Sequence, residues 1–301
     1  MAEQQAALEH LVERLNILIE RLMPPAPNAC PDFARYSAFR WTGPGADGHL
    51  SAVEYPQMYD IGQLVGLDGI RDAVIRNTAQ FVAGHPANNV LLWGERGNGK
   101  SSLVKGVLPL FAHQGLRMVE LKRWDLLVMP DIIRLLRHQP YFFILFCDDL
   151  SFDEGESDFR TLKTLLDGDI EEKPANILVY ATSNRRHLVP ERMELNAGQG
   201  EIHPDEAVGE RLALSDRFGI SLGFYSLDQD EYLAIVRRYA ADRKLAVNDD
   251  RLCDLALQWH RSTGRRSGRS ARQFIDDLQG RLCMSEDDGF FRSTERMISG
   301  V

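Results

Sequence analysis

Three uninterrupted apolar runs constrain this chain more than any other feature: NNVLLW over 88–93, FFILFC over 142–147 and NILVYA over 176–181. A strand with one wet face alternates apolar and polar residues, whereas an unbroken run belongs to a strand covered on both faces. Between and beside these runs the spacing predicts helices over 100–112, 130–138 and 158–167, with further strands over 117–121 and 220–224. Strand–helix alternation of this kind predicts an α/β fold, a parallel sheet sandwiched between helical layers. The stretch LVGLDGIRDAVIRNTAQFVAG adds a loop and a helix closed by Gly84. From about Asp228 strands cease, and three helical stretches follow, with Asp228 or Asp230 and Asn248 as expected N-caps. Leu8, Leu11, Val12, Leu15, Leu18, Ile19 and Leu22 fall at helical spacing, and Pro24, Pro25 and Pro27 end that helix. Residues 24–58, with Gly43, Pro44, Gly45 and Gly48, read as irregular. The expected division is 1–58 as an N-terminal helix and irregular extension, 59–226 as the sandwich, and 227–301 as a helical domain. A chain of 301 residues has ample material for both cores.

The first apolar run leads straight into Gly94-Glu95-Arg96-Gly97-Asn98-Gly99-Lys100-Ser101-Ser102, which fits G-x-x-x-x-G-K-[ST]. Gly94, Gly97 and Gly99 let the backbone curl, so that the N–H groups of the loop, Asn98 included, turn inward on an anion. The helix that begins at Lys100, Ser101 and Ser102 adds the partial positive charge of its N-terminus. Lys100 is placed for the β- and γ-phosphates of ATP, and the Ser101 hydroxyl for Mg²⁺. The spacing excludes the dinucleotide fingerprint G-x-G-x-x-G.

The run FFILFC ends in Asp148 and Asp149. A carboxylate at the C-terminal edge of a strand beside such a loop can hold the metal shell. Asp148 is the expected metal residue and Asp149 the expected acid that activates the attacking water. Asp153, Glu154 and Glu156 follow closely and leave the choice of base open.

Charge and cysteine usage narrow the setting. The net charge is −9, and residues 141–210 hold 16 acidic against 6 basic side chains. That balance argues against non-specific coating of nucleic acid, which needs a cationic surface. The Arg261–Arg272 segment, RSTGRRSGRSAR, carries five arginines and no acid, so a local phosphate contact stays open. Cys30, Cys147, Cys253 and Cys283 are scattered, and the N-terminus is charged throughout, so reduced thiols in a cytoplasmic protein are expected. No apolar run reaches the roughly 20 residues of a membrane span.

A phosphate loop, a strand ending in two acids and a strand ending YATSNRRHL, in that order, resemble the AAA+ ATPases. The resemblance covers about 59–283. More narrowly, ILFCDDLSF, ATSNRRHL and LSDRFG look like a family of bacterial AAA+ ATPases catalogued as a domain of unknown function, related in motifs to the replication initiators and helicase loaders. The resemblance implies sensor roles for Asn184 at the γ-phosphate or the attacking water, and for Arg272 in GRSARQF, with Arg269 its neighbour and competitor. It implies that Arg217 is an arginine finger entering a neighbouring subunit's site, hence a homo-oligomer. It makes Leu64, Val65 and Gly66 a wall for the adenine and the C-terminal helices a lid.

The sequence departs from these relatives in two places. Asp149 stands where many have Glu, which implies slow hydrolysis. LKRWDLLVMPD contains Trp124 but no aromatic-hydrophobic-glycine pore loop, which weakens a threading role. The stretch 190–210 is long for its place and is expected to be a surface insertion facing a partner or neighbouring subunit.

The reading is an ATP-driven conformational switch that remodels or loads a macromolecular client, a protein before a nucleic acid. A small-molecule P-loop kinase shares the loop but needs neither a neighbour's arginine nor a helical domain. A low-turnover nucleotide-binding scaffold would also fit Asp149. For a nucleic-acid-associated ATPase, the arginine cluster and initiator-like motifs speak in favour and the net charge against.

Overall fold

The computed structural model describes residues 31–43, 45, 48–151, 162, 163, 166, 174–185 and 216–286. The expected N-terminal helix, the acids Asp153, Glu154 and Glu156, and the stretch 190–210 lie outside the described residues, as does most of the expected helix 158–167.

The five expected strands lie side by side in a single sheet. In chain order the strands are β1 (Ala38–Thr42), β2 (His49–Ala52), β3 (Val90–Gly94), β4 (Leu116–Leu121), β5 (Phe142–Cys147), β6 (Ile177–Ser183) and β7 (Ile220–Phe224). They line up as β2-β1-β4-β5-β6-β3-β7, parallel throughout except for the antiparallel β1–β2 pair.

Alternate residues of the central strands feed two cores. Leu91, Phe143, Leu145, Val179 and Ala181 face one, closed by helix α3 (Met129–Leu136) and by Leu162. Val90, Leu92, Ile144, Phe146, Leu178 and Tyr180 face the other, beneath helices α1 (Asp68–Val82) and α2 (Lys100–Phe111). Burial on both sides accounts for the absence of polar alternation in these runs.

The irregular reading of 24–58 is corrected over 38–52. These residues make the β1–β2 hairpin, and β1 pairs with β4 along Ala38↔Met118, Phe39↔Val119 and Arg40↔Glu120. Glu120 accepts from Arg40 at 2.6 Å and from Lys105 at 3.1 Å, so one carboxylate ties β1, β4 and α2 together. The sandwich therefore takes in residues that the expected boundary at 59 left out.

After β7 come α4 (Gln229–Asp242), α5 (Asp249–Thr263) and α6 (Gly268–Glu286). Asp228 caps α4 in a reciprocal box with Glu231, and the Asn248 side chain accepts from the first N–H groups of α5. Tyr232, Val236, Ala256, Phe274 and Ile275 form their own core. No described helix is long and apolar enough to cross a membrane.

Candidate functional site

The C-terminal ends of β3, β5 and β6 converge on one point. Gly94 ends β3 with φ of 127°, and a Cβ there would lie 1.9 Å from the Phe224 carbonyl oxygen of β7. Only glycine allows the two strands to stay paired while the chain turns into the loop. Asn98 Nδ2 donates to Tyr225 O at 2.7 Å and pins the loop to the end of β7.

Gly99, left-handed at φ 96°, precedes α2, and no side chain caps that helix. Its first N–H groups, which no intrahelical carbonyl can reach, are therefore left for an anion. Lys100 is 7% exposed and donates through Nζ to the carbonyls of Gly94 and Glu95, both at 2.7 Å. Burial holds its ammonium below the ordinary lysine range, and Arg96 and Arg269 push the same way against the opposing pull of Asp149 and Asp148. An anion beside Lys100 would offset the cost of that burial and favour the charged ammonium.

The acids stand where the sequence put them. Asp148 Oδ1 accepts from Ser101 Oγ and from Thr182 Oγ1, each at 2.6 Å. Ser101 and Asp148 supply hard oxygen donors at one place, the ligand class that Mg²⁺ selects. Together with the uncapped helix end and Lys100, they fit a magnesium nucleotide.

Asp149 adopts a left-handed backbone, φ 55°, which aspartate tolerates better than most residues. Its N–H donates to Thr182 Oγ1 at 2.9 Å, its Oδ1 accepts from Asn184 Nδ2, and its Oδ2 accepts from Arg96 Nη2 at 2.8 Å. Cys147, one residue upstream, has its thiol pushed up to about 12 by burial, with Asp125 and Asp148 adding to it. It is no nucleophile at neutral pH.

Thr182 and Arg96 are the residues that the sequence reading missed. Thr182 is 1% exposed and orients both acids at once. Its signal was present: it stands two residues before Asn184, the spacing that puts both on one face of an extended chain.

The helical domain closes over the loop. Arg269 N–H donates to Gly97 O at 3.0 Å. Gly97 has φ of 85°, and a Cβ there would lie 3.1 Å from Arg269 Cβ and from Ser267 Oγ. The charge of Arg269 acts on Lys100, whereas that of Arg272 acts on Tyr239 of α4. Leu64 packs with the core under α2, Val65 packs with the helical core, and Gly66 at φ 75° lies near Glu231. The three expected adenine-wall residues thus bridge the two bodies beside the loop. Ser102 is half-buried in the first turn of α2.

Arg217 is not among these neighbours. It is half-buried just before β7, seven residues ahead of Phe224, and Phe224 is the residue that pairs with Gly94. Because β7 runs parallel to β3, Arg217 lies toward the opposite edge of the sheet from its own glycine-rich loop.

Solved structures of RuvB from Thermotoga maritima share this architecture. One variant gives a TM-score of 0.54 at 15% identity, over 75% of this chain and 66% of that one. A second gives 0.53 at 16% identity, over 75% and 67%. This chain thus spans about two thirds of the length of those RuvB chains. At such identities the likeness concerns the fold, which is AAA+. Among curated proteins, none matches the chain by sequence. Residues 34–282, from the turn before the hairpin to the last turns of α6, match a family described as "Protein of unknown function (DUF815)". The chain has the AAA+ fold and belongs to that family.

Proposed function

We propose that this chain binds Mg²⁺-ATP between loop and lid, hydrolyses it at the β–γ bond, and uses the change to shift lid angle and subunit contacts. The observation that carries the reading is the convergence on Asp148 Oδ1 of Ser101 Oγ from the loop and Thr182 Oγ1 from β6. Three separate sequence segments meet there, and two of them, through Ser101 and Asp148, offer the hard oxygens that Mg²⁺ takes as ligands.

Bound Mg²⁺-ATP supplies the electrophilic phosphorus and the metal charge that offsets its oxygens. The chain does the rest. Lys100 and the first N–H groups of α2 hold the phosphates, Ser101 and Asp148 hold the metal, and Asp149 takes the water's proton. Asn184 orients that carboxylate, and Arg269 and Arg272 bring positive charge from the lid. Arg217 serves a neighbouring copy, which its distance from its own loop supports. With about 3.3 Å of rise per strand residue, β3 alone separates the two edges by roughly 13 Å. Remodelling or loading of a macromolecular client, a protein before a nucleic acid, is the output that such a switch suits, in the cytoplasm.

The test is the Mg²⁺-ATPase rate per subunit against protein concentration, with ADP and phosphate both quantified. A specific activity that climbs with concentration is expected, because the site is completed between subunits. A flat rate would remove the trans site and point to a self-contained kinase, to be pursued with hydroxyl acceptors.

A further inference from the structure

Arg96 occupies one of the four x positions of the loop, where the backbone cradle sets no side-chain requirement. Yet its guanidinium leaves the loop and reaches Asp149 Oδ2 at 2.8 Å, while Asn184 takes Oδ1. Each oxygen of the carboxylate that should accept a proton from water thus already accepts from a protein donor, which lowers its basicity and takes part of its lone-pair capacity.

That pairing is poised to break. Arg96 is 66% exposed and Asp149 49%, and ion pairs this open to water are weak. Arg96 also borders a cavity of about 370 Å³ whose lining includes Arg265, Arg269, Ser267 and Ser270 but no carboxylate. Arg265 and Arg269 stand on that cavity with it, and Lys100 feels both Arg96 and Arg269 as like charges alongside the carboxylates Asp149 and Asp148. A terminal phosphate carries more charge than one carboxylate and offers the paired oxygens that a guanidinium fork matches. It would outcompete Asp149 for Arg96. A diphosphate stops one group short.

We propose that Arg96 exchanges partners with nucleotide state. It holds Asp149 while the loop lacks a terminal phosphate, and turns to that phosphate when a triphosphate binds, which leaves Asp149 open to water. The inference rests on the ATP-binding reading above and adds regulation to it: the base is released only when there is a bond to cleave.

The test is calorimetric binding to the full chain of ADP and of an ATP analogue with a non-hydrolysable β–γ link. The proteins are wild type, Arg96→Gln, Arg96→Lys and Lys100→Ala. Arg96→Gln is expected to weaken analogue binding about tenfold and ADP binding less than about twofold, the loss of one charge-assisted contact. Arg96→Lys should recover only part of the difference, because an ammonium keeps the charge and loses the fork.

Equal effects on both ligands, or none on either, would overturn the exchange. So would a loss of turnover of about a hundredfold with analogue affinity unchanged, since Arg96 would then be aiming Asp149 rather than blocking it. Lys100→Ala keeps the two levels apart, because it should lose both ligands. Wild-type protein that binds neither nucleotide would bring down the ATP reading and the exchange together, whereas normal wild-type binding with equal Arg96→Gln effects would bring down the exchange alone.

Discussion

At the scale of single residues, Thr182 is the hinge of the two acids. Its hydroxyl donates to Asp148 Oδ1 and accepts from the Asp149 N–H, while almost no part of it meets water. Thr182→Val keeps the shape and removes both bonds. The expected outcome is a stability loss of about 1–3 kcal/mol, the usual cost of leaving a buried polar group unpaired. Turnover should fall by at least tenfold with nucleotide affinity nearly kept, because Lys100 and the loop are untouched. Urea melts and ATPase kinetics on the same sample would check both parts. That Asp148, Asp149, Lys100 and Ser101 meet at one edge of the sheet was legible, because the motifs fix both residue type and spacing. Arg96 was not, since nothing local marks an arginine at an x position; its meaning depends on a carboxylate 53 positions away.

Among the elements, legibility followed burial. The central strands announced themselves because both faces are covered. The β1–β2 hairpin did not: β1 reads Ala-Phe-Arg-Trp-Thr with Arg40 and Thr42 exposed, and β2 has four residues. So short an alternation amid glycine and proline resembles a loop. The contact between the loop and α6 was equally hidden, because it is a backbone bond from Arg269 N–H to Gly97 O. Gly268 is where that contact can be tested from the lid side, since a Cβ there would lie 3.2 Å from the same Gly97 oxygen. Gly268→Ala should leave the helical domain folded, as alanine suits a helix better than glycine, yet press α6 away from the loop. Faster amide exchange at Arg269 and several-fold weaker ATP binding are expected. Unchanged exchange at that amide would mean that the lid position does not depend on this contact.

For the whole molecule, the position of Arg217 decides whether one copy can complete a site. It stands at the edge of the sheet where β3 and β7 begin, and the phosphate loop stands where β3 ends. A side chain of arginine's length does not span a sheet, so a role for Arg217 in hydrolysis demands a second copy joined head to tail, as in a ring or an open helix. Such an arrangement predicts complementation. Lys100→Ala chains lose their own pocket but still present Arg217, and Arg217→Ala chains keep the pocket but present nothing. Each alone should be inactive. Mixed one to one, with interfaces formed at random, about a quarter of them join a sound pocket to a sound arginine, so about a quarter of wild-type activity should return. The mixture should regain activity only at concentrations where the wild-type specific rate has also risen. If it stays as inactive as its parts while the two variants co-assemble on a sizing column, Arg217 does not act across the interface. The concentration dependence would then have to come from assembly alone.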